Sequence, residues 1–127
     1  MKKVYHLSSC STCQRILKEI KATDFVLQDI KTESISESQL EEMYVFTSSY
    51  EALFSKRAMK YKSMALNEKN LQEEDFKNLL LEEYTFLKRP VFIINDEIYV
   101  GNSKKVVEAV KNTLAHEWCS KVTHGII

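Results

Sequence analysis

The chain has 127 residues, of which 44% are hydrophobic and 28% charged, and it carries no net charge at neutral pH. That composition supports a soluble core of ordinary size. The even balance of charge argues against non-specific binding to nucleic acid, which needs an excess of Lys and Arg, and no run approaches the ~18 apolar residues of a membrane span. Met1-Lys2-Lys3 is basic, but the apolar stretch behind it is too short for a secretory signal. The expected location is therefore cytoplasmic, where thiols are kept reduced.

Residues 3–7 read as a strand and 11–22 as a helix, with Ile16, Leu17 and Ile20 on one face. Phe25 to Ile30 reads as a second strand, closing a βαβ opening. Ser36-Glu37-Ser38-Gln39 is a capping box that starts a helix to about Ser48, with Leu40, Met43, Tyr44 and Phe46 apolar. A further helical segment is predicted from Tyr50 to Lys62 and another from Gln72 to Tyr84, the latter carrying Phe76, Leu79, Leu80 and Tyr84. With two glycines and one proline in the chain, each is informative. Pro90 opens the apolar strand Val91-Phe92-Ile93-Ile94, Asn95-Asp96-Glu97 is a turn, and Ile98-Tyr99-Val100 completes a hairpin. A last helix begins after Gly101-Asn102-Ser103, with Val106, Val107, Val110 and Leu114 as its stripe. A single domain over 1–127 is expected, with a helical insert over about 36–84 and a loosely held tail over about 117–127. This β-α-β … β-β-α order implies an α/β mixed sheet and resembles the thioredoxin-like pattern.

The chemistry concentrates at Cys10-Ser11-Thr12-Cys13, between the first strand and the first helix. A thiol at the start of a helix meets unpaired backbone N–H groups and the positive end of the macrodipole, both of which favour its anion. Cys10 is the candidate nucleophile, Cys13 is the candidate resolving thiol one turn on, and Ser11 and Thr12 supply N–H donors at the helix start. The alternative for Cys10 is a buried inert cysteine, and for Cys13 a spectator. Zinc is a weaker reading: His6 could be a third ligand, but Cys119, His116 and His124 lie in a remote tail, so no metal site is expected. His6 ends the first strand, where it could lower the Cys10 pKa or simply be a polar surface residue. Arg89-Pro90 is the second signal. A proline entering a core strand can follow a cis bond. Arg89 offers a planar five-donor cation for an oxyanion or a thiolate, or else a cap for the preceding helix. Arg57, in Ser55-Lys56-Arg57, is a further anion clamp or part of a solvated basic face, and Lys56 could substitute for it.

Tyr5 to Cys13, Ser55-Lys56-Arg57, Leu87-Lys88-Arg89-Pro90-Val91 and Val100-Gly101 together resemble the family of glutaredoxin-like arsenate reductases (ArsC) and Spx redox regulators, from about residue 3 to 114. The resemblance implies a thioredoxin-like fold with a helical insert, and a cysteine at Cys10 that attacks arsenate held by three arginines. It also implies resolution by glutathione and glutaredoxin or thioredoxin, with no bound cofactor. His6 and Arg89 match that pattern, with Pro90 as the cis proline. Ser55 stands at the place of one arginine, with Arg57 two residues on. The third falls near Tyr99 or Asn102, with Lys104 and Lys105 close by. The Cys10/Cys13 pair is similar to the Spx disulfide switch, which implies the RNA polymerase alpha subunit as an alternative partner. The leading expectation is a thiol–disulfide oxidoreductase, with arsenate as a candidate substrate. The alternative is a redox-sensing regulator without turnover.

Overall fold

A computed structural model describes the backbone over residues 2–21 and 24–126 and the side chains as far as residue 115. The first strand, β1 (Lys2–His6), leads through a short turn into helix α1 (Ser11–Glu19), which buries Cys13, Ile16 and Leu17 at helical spacing. The helix stops earlier than its apolar pattern predicts. Ile20 is its C-cap, and Lys21 takes a left-handed conformation with φ 55° while its N–H returns to the Lys18 carbonyl. Strand β2 (Val26–Asp29) then runs parallel to β1, pairing Val4 with Leu27 and His6 with Asp29.

The insert opens with α2 (Glu37–Thr47), whose capping box forms as its sequence implies: Ser36 Oγ accepts from the Gln39 N–H, and Gln39 Oε1 accepts from the Ser36 N–H. The segment predicted as one helix from Tyr50 to Lys62 is broken. A 3-10 turn (Glu51–Leu53) gives way to extended backbone at Phe54, and only α3 (Met59–Ser63) is α-helical. The cause lies far along the chain. Phe54 bridges Leu87, the Ser55 N–H donates to the Phe86 carbonyl at 2.6 Å, and the Lys88 N–H donates to the Leu53 carbonyl at 2.8 Å. Backbone groups committed to that pairing cannot close helical turns. The Phe54 ring is buried against Phe76 and Phe86, at centroid distances of 5.0 and 4.8 Å. Helix α4 (Glu73–Glu82) follows, then a 3-10 turn (Tyr84–Phe86).

The Arg89–Pro90 peptide is cis and enters β3 (Val91–Ile94), which is buried along its whole length. Strand β4 (Glu97–Val100) returns antiparallel, and α5 (Lys104–Ile126) ends the chain. The sheet order is β2-β1-β3-β4, with β1 and β2 parallel and the other pairs antiparallel. Alternate residues of the two central strands supply two cores. Val4, Phe92 and Ile94 pack with Ile16 of α1 and with Val107 and Val110 of α5. Tyr5, Val91 and Ile93 pack on the other face with Leu40, Phe54 and Leu80 of the insert. The expected loose tail over 117–127, with Cys119, concerns side chains outside the described residues. Among the described residues no helix is long and apolar enough to cross a membrane.

Candidate active site

The β1–α1 turn places Cys10 at the N-cap of α1, with φ −92° and ψ 110°. Its N–H donates to the Leu7 carbonyl at 3.0 Å, and its own carbonyl accepts the Gln14 N–H at 3.1 Å. The turn is clamped from β2. Asp29 accepts from Ser8 Oγ at 2.5 Å through one oxygen, and from the Ser8 and Lys31 N–H groups through the other. These bonds hold the Asp29 carboxyl below its usual range, with the Ser8 hydroxyl as the largest cause.

The two thiols are free, and their surroundings differ. Cys10 is partly exposed. Burial pushes its thiol up, but the Cys13 N–H and thiol, the Arg89 guanidinium and the Thr12 N–H favour the anion, and the balance lies below the ordinary cysteine value. Cys13 is 0% exposed. Burial first, and then the neighbouring Cys10 sulfur, push it up to about 11, against the Leu7 N–H and Arg89. One sulfur is set up to be an anion and the other to keep its proton.

Cys10 opens onto a groove of about 1030 Å³ between the insert and the β4–α5 turn. Phe54, Leu87 and Val100 give it apolar lining, while Arg57, Lys88 and Arg89 bring positive charge. Arg89 Nη1 donates to the Thr85 and Leu87 carbonyls at 3.2 and 3.3 Å, so the guanidinium does cap the preceding 3-10 turn. Its Nε is buried with no hydrogen-bond partner among the described residues. Gly101, Asn102 and Ser103 form the far wall. Gly101 has φ 101°, a conformation that favours glycine, and its N–H donates to the Pro90 carbonyl at 2.9 Å. Ser103 Oγ accepts the Val106 N–H and caps α5.

The structure brings Cys10, Arg57 and Arg89 to one groove, with Cys13 directly behind Cys10. Ser11 and Thr12 begin α1 but do not line the groove, and the Thr12 N–H acts on Cys10. Pro90 is buried and joins the groove through its carbonyl bond to Gly101. His6 lies elsewhere. It is buried at 8% exposure, and its Nδ1 is 3.3 Å from Gln14 Nε2, which also donates to the Leu7 carbonyl. His6 is therefore neither a surface residue nor part of the groove lining, and it stands with Gln14 in the packing that joins α1 to β1. Sequence reasoning missed Asp29, Gln14 and Lys88. Nothing local marks Asp29 or Gln14, since their partners arrive through parallel strand pairing and helix docking. Lys88 was visible only as the neighbour of Arg89.

A four-stranded mixed sheet, a cysteine pair at the start of its first helix and a cis proline entering β3 together define a thioredoxin-like protein. The chain belongs to the ArsC family, whose sequence model matches residues 5–110. Solved structures agree on the fold. An ArsC-family-related protein from Bacteroides fragilis superposes with a TM-score of 0.72 at 21% identity, covering 87% of this chain and 97% of its own. An arsenate reductase from Vibrio cholerae gives 0.69 at 20% identity over 86% and 96%. An arsenate reductase related protein from Brucella melitensis gives 0.66 at 19% identity over 85% and 92%. No curated protein matches the chain.

Proposed function

We propose that the protein is a thiol–disulfide oxidoreductase in which Cys10 is the nucleophile and Cys13 the resolving thiol. The observation that carries this reading is the contrast between the two sulfurs. Cys10 is partly exposed and favoured as an anion, whereas Cys13 is buried, protonated and in contact with it. The Cys10 thiolate attacks one sulfur of a substrate disulfide. A Cys10–substrate disulfide forms, and the other half leaves as a thiolate that takes a proton from solvent. Once Cys10 is in a disulfide its anion is gone, and with it one cause of the raised Cys13 value. Cys13 then gives up its proton and attacks the Cys10 sulfur, which releases the second substrate thiol and leaves a Cys10–Cys13 disulfide. Two electrons from glutathione, or from a glutaredoxin or thioredoxin dithiol, restore the pair. No bound cofactor is required.

Arsenate is the second candidate substrate. Arg89, which lines the groove, and Arg57, with no ion pair or hydrogen bond among the described residues, would hold an oxyanion beside Cys10. Cys10 would displace a hydroxyl from arsenic(V). Attack of Cys13 on the Cys10 sulfur would then release arsenic(III) and form the disulfide. The cytoplasm suits either reaction, because the donor thiols are abundant there.

The test runs the reduced protein in two arms, one with arsenate, glutathione and glutaredoxin and one with hydroxyethyl disulfide and glutathione alone, each read against the same mixture without the protein. Turnover in the disulfide arm, lost in Cys10→Ser, is the expected result. No turnover in either arm, together with retention of the RNA polymerase alpha subunit in only one redox state, would replace the enzyme by a redox-sensing regulator.

A further inference from the structure

The groove beside Cys10 is built for more than a small anion. A water molecule occupies about 30 Å³ of liquid, and clefts of about 300–1,000 Å³ hold ligands of drug size. At about 1030 Å³ this groove has room for several residues of polypeptide. Its walls mix apolar surface with cations, whereas a clamp for one dianion would be small and polar throughout. Phe54, Ala58 and Val100 line it, and Met59 stands at its side 88% exposed, an adaptable apolar contact.

Its charge is one-sided. Lys56, Arg57, Lys60, Lys88 and Arg89 line the groove against Glu51 alone. Lys56 is paired to Glu51 at 2.7 Å, and Lys60 to Glu83 at 2.6 Å. The side chains of Arg57 and Lys88 make no ion pair or hydrogen bond among the described residues, and the Arg89 side chain bonds only backbone carbonyls. The chain as a whole has no net charge. Glu37 and Glu41 of α2, which pair with Lys77, and Glu73, Glu74 and Asp75 in the first turn of α4 do not line the groove. Charge segregated in this way steers and orients an oppositely charged partner.

We infer that the disulfide which Cys10 attacks is carried on an acidic polypeptide segment, laid along the groove with its carboxylates against Arg57, Lys88 and Arg89. This rests on the oxidoreductase reading above and names its substrate class. The step itself is unchanged: a Cys10–peptide disulfide forms, and the peptide's former sulfur partner leaves as a thiol.

Three nine-residue peptides test it, each with one central cysteine joined by a disulfide to a 2-thiopyridyl group. The flanks are Asp/Glu, Asn/Gln or Lys in turn, and release of pyridine-2-thione from excess reduced protein reports attack by Cys10. The acidic peptide should react roughly tenfold faster than the neutral one, with the basic peptide slowest. The advantage should shrink between about 20 mM and about 0.5 M salt as screening shortens the reach of charge. Lys88→Gln and Arg57→Gln should each lower the acidic-to-neutral ratio. Because the ratio is the readout, a general loss of thiol reactivity cancels. Equal rates for all three peptides overturn the acidic-segment inference and leave the oxidoreductase standing. Failure of every peptide, with no Cys10 adduct by mass, overturns both.

Discussion

The two sides of the α1 N-terminus have opposite characters, although they begin three residues apart. Behind the helix start, Cys13 is sealed, and Gln14 ties His6 and the Leu7 carbonyl into the packing between α1 and β1. In front, Cys10 meets a wide groove lined by the unpaired side chains of Arg57 and Lys88 and by Arg89. The motif at the helix start already names Cys10 as nucleophile and Cys13 as resolving thiol. The difference teaches that reactivity is assigned by what each sulfur faces: amide donors and a cation on one side, hydrocarbon on the other.

The sharpest way to break the contrast is to exchange the sulfurs for oxygen. Cys10→Ser should lower disulfide turnover by roughly a thousandfold or more, because the nucleophile is gone. Cys13→Ser should keep the first attack and accumulate a mixed disulfide on Cys10, visible as a mass adduct. Equal losses of the first step in both variants would erase the distinction.

The second test uses pH, since the two thiols act on stability with opposite sign. Cys13 is raised to about 11, against about 8.5 unfolded, so over that window the native state holds a proton that the unfolded chain has lost. Its contribution is fully present below about 8.5 and is lost as pH rises, with a slope of up to about 1.4 kcal/mol per pH unit. Cys10 is lowered, so its contribution is present above about 8.5 and is lost as pH falls through its folded value. Urea unfolding of reduced protein should therefore show an alkaline decline that Cys13→Ala reduces most and Cys10→Ser only in part, because burial is the larger cause of the Cys13 shift.

A smaller effect sharpens the groove side. Arg89→Ala removes a cation that favours the Cys10 anion, so the midpoint of alkylation by iodoacetamide against pH should move up and the rate at pH 7 should fall several-fold. Arg89→Lys should recover part of this, and less of any anion binding, because the fork of donors is lost.

The smallest effect comes from the clamp. Asp29→Ala releases three hydrogen bonds to the Ser8 and Lys31 segments. It should lower stability by about 1 kcal/mol, read as a drop in Tm of about 4 °C. It should also slow Cys10 alkylation slightly, since the turn before the cysteine is no longer held.

The order of strands and helices, the α2 capping box, the cysteine pair at a helix start and the cis proline were all legible in the chain, because each depends on residues close in sequence. Apolar spacing declares a helix, Ser36 and Gln39 answer each other across three positions, and a thiol before a helix meets that helix's own amides. The break at Phe54 was not legible, because the Phe86–Lys88 strip that captures its backbone lies some thirty residues on. The burial of His6 and the Asp29 clamp depend likewise on partners brought in by β2 and α1. Only the folded chain places Arg57, Lys88 and Arg89 along one groove with Cys10, since electrostatic fields add over space and local sequence patterns report only their neighbours.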